Sequence, residues 1–178
     1  MAAITPPDIQ EELVALARDF AANEIRPVAA HYDETEETPY EPFYKAAEIG
    51  LTCYDLPEQY GGGGIEDLGT ICRIHEELTY GDAAIGNFIG SASFFGGVIV
   101  EMGTDEQKER WIRPLTGPTP KFGALATTEP GAGSDASAIT THAEPVDGGY
   151  RLNGSKTWIS NAGVASYYIV FATVAPGT

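Results

Sequence analysis

Two short segments of the sequence carry side chains whose types and spacing suit ligand binding. The first is TTEPGAGSD, residues 127–135, in which two threonine hydroxyls precede a glycine-rich stretch. Glycines allow backbone N–H groups to converge on one point, as in loops that bind anions or cover a flat ligand. A plain surface turn is the alternative. The stretch lacks the third glycine of a dinucleotide fingerprint and the Gly-Lys-Ser/Thr of a P-loop.

The second segment is NGSKTWISN, residues 153–161. Trp158 and Ser160 are two residues apart, so on a strand they would point to the same face. An aromatic ring and a hydroxyl on one face could hold a flat aromatic ligand by stacking and one hydrogen bond. The alternative is a core tryptophan beside a capping serine.

The remaining reactive side chains indicate little chemistry. His31, His75 and His142 lie in different predicted elements without paired spacing, so we predict no metal site. Cys53 and Cys72 are better read as small packed side chains than as catalytic thiols or a disulfide framework, which favours a reduced, cytoplasmic setting.

Glu129 is a carboxylate within the glycine-rich loop. It could act as a general base, although the adjacent Pro130 and the turn favour a structural role.

The charge of the chain limits its partners. The 178 residues include 26 acidic and 10 basic side chains, for a formal net charge of −16. We therefore expect no non-specific binding to nucleic acid or anionic membrane, because such binding requires Lys and Arg side chains that pair with phosphate groups. No apolar run reaches about 18 residues, so we expect no membrane span. The N-terminal residues do not resemble a signal peptide.

The elements that must position these residues change in type along the chain. Residues 1–60 hold 13 acidic and 3 basic side chains, residues 61–118 hold 9 and 4, and residues 119–178 hold 4 and 3. The first two-thirds show helical periodicity. The last third is rich in Gly, Thr, Val, Tyr and Trp, which favour strands and turns. We therefore predict an α+β chain with an all-α part, 1–118, and a β part, 119–178.

The α part is predicted to contain about five helices. Thr5 would cap the first, and Pro27 would kink or end it near Arg26. The Gly-rich apolar stretch from Ile85 to Met102 is expected to form one helix whose small residues allow close packing. Thr104 and Gln107 have capping-box spacing. The predicted helices span residues 9–26, 41–48, 66–80, 85–102 and 104–115, and the apolar face of the third consists of Leu68, Ile71, Cys72, His75 and Leu78.

The β part is predicted to contain five strands. Asp147-Gly148 and Asn153-Gly154 are hairpin signals. The final strand is almost entirely apolar, which predicts burial on both faces. The predicted strands span residues 122–127, 140–146, 149–152, 156–160 and 167–174.

Five ordered segments together resemble the acyl-CoA dehydrogenase family. TEPGAGSD and LNGSKTWISN resemble its two flavin-binding signatures, and LPEQYGGGG resembles its Pro-Glu-x-Tyr-Gly-Gly loop. MGTDEQKERWIRPLTG resembles a Gly-x-x-x-Gln-Lys helix, and FAANEIRPVAAHYDETEETP followed by KAAEIGL resembles the first helices. The resemblance implies a helical N-terminal domain over 1–118 and part of a middle β-barrel-like domain over 119–178. The family's C-terminal four-helix bundle is expected to be absent from this sequence.

The resemblance implies FAD as the cofactor. Leu125, Thr127 and Thr128 would line the flavin, with Thr128 bonding its pyrimidine edge. Ser134 would meet the pyrophosphate region and the thioester substrate. Trp158 would pack beside the isoalloxazine, and Ser160 would offer its hydroxyl near the reactive ring nitrogen. Leu125 stands where the family often has an aromatic residue, and Thr127 where it usually has an aliphatic one.

The implied reaction is α,β-dehydrogenation of an acyl-CoA thioester in fatty acid β-oxidation. The family's base is a glutamate expected beyond Thr178, so no catalytic residue is nominated in this chain. The resemblance further implies an electron-transfer flavoprotein as acceptor and a homotetramer formed through the C-terminal bundle. The alternatives are an acyl-CoA oxidase or a flavin monooxygenase on the same scaffold, or a non-catalytic half-protein.

Overall fold

A computed structural model describes residues 6–117 and 119–174 of the chain. The chain divides into two compact units, Met1–Lys121 and Phe122–Thr178. The boundary expected from the sequence follows Pro118, which lies outside the described residues.

Helices joined by turns and loops make up the described residues of the first unit. The core of this unit is formed by side chains from every region of it. Those with almost no solvent exposure include Ile25, Phe43, Leu56, Ile74, Leu78, Ile89, Ile112 and Leu115. The helices are α1 (Pro7–Phe20), α2 (Arg26–Thr35), α3 (Tyr40–Glu48), α4 (Leu68–Gly81), α5 (Ala83–Ile89), α6 (Ser91–Met102) and α7 (Asp105–Trp111), with short 3₁₀ turns at Glu58–Tyr60 and Arg113–Leu115.

Pro27 does not end the first helix. A π-helical turn over Ala21–Ile25 joins α1 to α2, which continues to Thr35. In this turn the Arg26 N–H donates to Ala21 O, five residues back. A proline is tolerated in the first turn of α2 because its missing N–H is not needed there. The predicted cap Thr5 lies outside the described residues.

The apolar face predicted for the third helix is confirmed at Leu78 and wrong at Leu68 and Cys72, which are exposed. Asp67 caps α4, since its carboxylate accepts from the Thr70 N–H at 2.8 Å. The buried residues of α4 are Thr70, Ile74 and Leu78, whereas Leu68 is 70% exposed. The helix begins at Leu68, two residues later than predicted, so Leu68 lies in the first turn and not against the core.

The apolar stretch Ala83–Met102 is two helices rather than one. Helix α5 ends at Ile89 and α6 begins at Ser91, with Gly90 between them. By length and composition alone this stretch could cross a membrane, a test that buried helices also pass, and more than half of it is buried within the chain. The helix predicted to reach Leu115 is also divided, because α7 ends at Trp111; the capping box of Thr104 and Gln107 is confirmed.

The four consecutive glycines form a loop, as expected. Gly62 lies so close to the preceding segment that a Cβ there would be 2.1 Å from Leu56 O. The loop is held by backbone hydrogen bonds from Gly63 N to Cys53 O and from Ile65 N to Tyr54 O, both 3.0 Å. Any side chain at Gly62 would push these segments apart.

The second unit contains two small sheets among its described residues. The strands are β1 (Gly123–Ala126), β2 (His142–Val146), β3 (Gly149–Asn153) and β4 (Tyr167–Val170). β1 and β4 are parallel, and β2 and β3 form the predicted antiparallel hairpin, with Gly148 at φ +78° in its turn. An isolated parallel bridge joins His142 to Thr173.

Two strand predictions are wrong. Residues 156–160 form a loop, not a strand, because Trp158 has φ +56° and Asn161 φ +65°, which are incompatible with extended pairing. β4 is not buried on both faces, since Tyr168 is 49% exposed. The described residues therefore hold four strands rather than five.

Candidate functional site

The first candidate residues lie at the end of strand β1. Leu125 is half-buried in β1 and pairs with Ile169 of β4. Thr127 and Thr128 follow directly, also half-buried. The Phe171 N–H donates to Ala126 O at 3.0 Å and extends the pairing beyond the strands. The two threonines are thus presented at the carboxyl end of a fixed strand.

Glu129 is the most constrained side chain near these threonines. It is 5% exposed, and both carboxylate oxygens accept hydrogen bonds. Oε2 accepts from the Thr140 backbone N–H and hydroxyl, both at 2.7 Å. Oε1 accepts from the Thr141 N–H at 2.8 Å and from Lys156 Nζ at 2.9 Å. A carboxylate with this many donors serves as an anchor and is poorly suited to accept a proton.

The protonation of Glu129 follows from these contacts. Hydrogen bonds from Thr141, Lys156 and Thr140 hold the pKa of Glu129 well below its ordinary value and outweigh the opposing effect of burial. The side chain is therefore a carboxylate at neutral pH. This supports the structural role that the sequence favoured over a general base.

Lys156 connects the anchor to the second candidate segment. Its Nζ donates to Thr127 O at 2.8 Å as well as to Glu129. The Thr157 N–H donates to Thr128 O at 3.0 Å. The loop that begins at Lys156 is therefore fastened directly to the two threonines that follow β1.

The other end of this loop is fastened as well. Asn161 Nδ2 donates to Gly123 O, at the start of β1, at 3.2 Å. Tyr168 donates its hydroxyl to Ala162 O. Both ends of the loop are thus tied to the sheet of β1 and β4, and Trp158 and Ser160 lie between the two attachments.

The Trp158 side chain is exposed to solvent and is not packed against the other side chains that the structure describes. The residue is 90% exposed and has φ +56°, a conformation that L-residues adopt at a cost. An open cavity of about 590 Å³ lies along the loop, lined by Lys156, Thr157, Trp158, Ile159, Ser160 and Ala162. The core-tryptophan alternative is excluded, and Trp158 shares this cavity with Ser160 without the predicted strand geometry.

The glycine-rich loop turns tightly next to Glu129. Glu129 N donates to Ala132 O at 2.9 Å, and Ala132 N donates back to Glu129 O at 3.1 Å. Ala132 is buried, whereas Gly131, Gly133 and Ser134 are exposed. A Cβ on either glycine would meet nothing within 4 Å, so open space adjoins their backbone.

The structure thus brings Thr127 and Thr128 together with the loop that carries Trp158 and Ser160. Ser134 extends from a turn that starts at the same Glu129 anchor. Sequence reasoning missed Lys156 and Asn161. A usable signal for Lys156 existed, since it is one of only three basic residues in 119–178 and interrupts a run of hydroxyl and apolar residues.

The remaining candidates for chemistry among the described residues are metal-ligating side chains and the two cysteines. In the part of the chain that the structure describes, no group of three or more His, Cys, Asp and Glu side chains could hold a metal ion. Cys53 is buried and Cys72 exposed, and both are free thiols. Burial raises the pKa of the Cys53 thiol, which makes it less reactive.

Comparison with known proteins identifies related chains. Two curated proteins match over nearly the whole chain. The 3-(aryl)acrylate reductase of Clostridium sporogenes is 41% identical over 92% of this chain and 43% of its own length. The human short-chain specific acyl-CoA dehydrogenase, mitochondrial, is 38% identical over 94% of this chain and 40% of its own length.

Solved structures match in fold as well. Butyryl-CoA dehydrogenase from Megasphaera elsdenii superposes with a TM-score of 0.85 at 35% identity, over 97% of this chain and 46% of that one. The FAD complex of PigA superposes with a TM-score of 0.86 at 26% identity, over 98% of this chain and 46% of that one. The chain therefore spans less than half the length of the relatives it matches.

Two family descriptions cover the chain in order. Residues 7–117 match the acyl-CoA dehydrogenase N-terminal domain, and residues 124–178 match the acyl-CoA dehydrogenase middle domain. The five motifs, the helical unit, and the strand-end threonines tied to an exposed tryptophan loop agree with this assignment. The chain belongs to the acyl-CoA dehydrogenase family.

Proposed function

We propose that the protein catalyses FAD-dependent α,β-dehydrogenation of an acyl-CoA thioester, and that this chain supplies residues that hold the flavin. The observation that carries the proposal is the loop of Trp158, tied at both ends to the β1 sheet beside Thr127 and Thr128. Membership of the acyl-CoA dehydrogenase family supports the same reaction class.

The residues fit the chemistry of FAD. The isoalloxazine is a flat aromatic system with a polar edge, which an exposed indole and nearby hydroxyls can hold. Trp158, at 90% exposure, has a ring face available for such a group. The pyrophosphate carries negative charge, and exposed backbone N–H groups at Gly131 and Gly133 can face it. The Glu129 carboxylate of this turn is bonded to Lys156, and the Asp135 carboxylate accepts hydrogen bonds from Ser137.

Each residue then has a separable role. Thr128 bonds the pyrimidine edge, Trp158 packs beside the ring, and Ser160 places a hydroxyl near the reactive nitrogen. Ser134 contacts the pyrophosphate region and the thioester. When bound, FAD supplies the acceptor for the hydride that leaves the β-carbon of the substrate. Leu125 and Thr127 line the ring without bonding it, and no residue of this chain is assigned as the base.

Flavin binding is tested with the 178-residue chain itself. We expect stoichiometric FAD, detected by flavin absorbance after gel filtration and by quenching of tryptophan fluorescence on titration. Trp158→Ala should weaken binding at least tenfold, whereas Trp111→Phe, a tryptophan of the first unit, should leave it unchanged. A wild-type chain that binds no FAD would contradict the proposal and favour a non-catalytic half-protein.

The reaction is tested with the natural gene product loaded with FAD. Butyryl-CoA should bleach the flavin absorbance under anaerobic conditions and yield the enoyl thioester. Rapid reoxidation by oxygen would instead indicate an oxidase.

Reduction of a 3-arylacrylate is a second candidate reaction, because a reductase of that description is 41% identical to the chain. An arylacrylate that reoxidises the reduced flavin, without any bleaching by butyryl-CoA, would favour this reaction over dehydrogenation.

The acceptor, the assembly and the compartment remain proposals of the same kind. We expect an electron-transfer flavoprotein to accept the electrons and a homotetramer to form, both on the strength of the family. The two free thiols suit a reducing cytoplasm. Electron transfer to a purified flavoprotein acceptor, light scattering and cell fractionation test these three points.

A further inference from the structure

A buried ion pair lies behind the exposed loop of the proposed flavin site. The side chains of Glu129 and Lys156 are 3% and 11% exposed, and Lys156 Nζ lies 2.9 Å from Glu129 Oε1. In each of the other ion pairs found among the described residues at least one side chain is more than 40% exposed, as in Arg151–Glu144 at 65% and 55%. A pair this well shielded from solvent is weakly screened, and removing one partner leaves an uncompensated buried charge.

The pair joins three separate stretches of backbone. Glu129 accepts from the N–H groups of Thr140 and Thr141, and Lys156 donates to Thr127 O. The adjacent Thr157 N–H donates to Thr128 O. The strand end, the segment before β2 and the start of the tryptophan loop therefore meet at one point.

The loop needs such support because its conformation is costly. Trp158 has φ +56° and is almost fully exposed, so neither its own backbone preference nor its side-chain packing holds it there. The attachments at Lys156, Thr157 and Asn161 must hold it. Only the first of these is coupled to a buried charge.

We propose that Glu129 and Lys156 are positioning residues of the flavin site. Their charged groups bond to protein atoms, and through these bonds they fix the Trp158 indole and the Ser160 hydroxyl relative to Thr127 and Thr128. The inference rests on the proposed function, because it assigns these two residues to the same FAD site.

The test compares Glu129→Gln, Lys156→Met and the double variant in the full chain. Glu144→Gln, which breaks the exposed pair of the same unit, is the matched control. We expect FAD affinity to fall at least tenfold in both single variants and to stay unchanged in the control. The double variant removes both charges of the buried pair, so it should be the most stable of the three variants. It should still bind FAD at least tenfold more weakly than the wild type.

A spectroscopic readout separates positioning from mere stability. In a Trp111→Phe background, Trp158 is the only tryptophan. At saturating FAD, its fluorescence should be quenched almost fully in the wild type and at least twofold less in the three variants. Without FAD, amide exchange of Thr157 should be at least tenfold faster in the variants than in the control.

The outcomes distinguish the two proposals. Failure of the wild type to bind FAD overturns the proposed function. A wild type that binds FAD, with a folded double variant of equal affinity and equal Trp158 quenching, overturns the positioning role alone.

Discussion

At the scale of single residues, Glu129 links structure to pH. Hydrogen bonds from Thr141, Lys156 and Thr140 lower its folded pKa below the unfolded value of about 4.3. A lowered carboxylate pKa contributes stability that is fully present above the unfolded pKa and is lost as pH falls towards the folded pKa. The second unit should therefore weaken below about pH 4.3.

Glu129→Gln should remove this acid dependence. We expect the variant to be less stable than the wild type at pH 7, with the difference shrinking as pH falls below about 4.3, because the unfolded wild-type carboxylate then binds a proton that the folded one does not. Urea unfolding followed by Trp158 fluorescence at a series of pH values measures it. Parallel pH profiles for the two proteins would contradict the expectation.

We expect Trp158 to favour FAD binding but to be less favourable than glycine for the stability of the folded chain. Both Trp158→Ala and Trp158→Gly remove the exposed indole and should abolish tight FAD binding. Only glycine relieves the φ of +56°, so the glycine variant should be more stable than the alanine variant by about 1 kcal/mol without FAD. Chemical denaturation of the two variants measures the difference, and an alanine variant of equal or greater stability would show that the backbone is not strained.

At the scale of elements, the glycine between α5 and α6 packs closely against α4. A Cβ on Gly90 would lie 2.1 Å from His75 Cε1, in a ring that also hydrogen-bonds Tyr54 through Nδ1 at 3.1 Å. His75 Nε2 is buried without a hydrogen-bond partner among the described residues, and burial lowers the pKa of the ring. The imidazole is therefore neutral and closely enclosed, which supports the packed role expected from the sequence.

Gly90→Ala should accordingly destabilise the first unit by about 1–3 kcal/mol, the usual effect of overpacking. Gly97→Ala is the matched control in α6, since a Cβ there meets nothing within 4 Å. That variant should stabilise the unit by about 0.5–1 kcal/mol through helix propensity. Thermal unfolding of both variants checks the opposite signs, and equal shifts would show that the His75 contact does not limit the site.

At the scale of the whole molecule, the 178-residue chain should self-associate when expressed alone. Among the described residues β4 pairs only with β1, and Tyr168, Phe171 and Val174 are 49%, 40% and 72% exposed. An unpaired apolar strand edge promotes association between chains. Light scattering should detect species larger than one chain, and Phe171→Lys should reduce them. A monodisperse wild-type monomer would contradict this expectation.

Local signals in the sequence predicted several elements correctly. Thr104 and Gln107 form the expected capping box, and Asp147-Gly148 makes the expected hairpin turn. Such elements depend on residues three or four positions apart, so their information is contained in a short window. The single helix predicted over residues 85–102 is wrong, because the chain breaks at Gly90. The close approach of Gly90 to His75 joins residues that local spacing does not relate.

The sequence by itself determined the family, the helical character of the first unit and the two segments that carry the candidate site. These depend on ordered motifs and on periodicity, both of which can be read along the chain. The tertiary structure alone decided that Trp158 lies on an exposed loop and that Glu129 and Lys156 fasten it to the end of β1. The physical reason is that a buried ion pair between residues 27 positions apart is specified by packing and desolvation, neither of which is visible in local spacing.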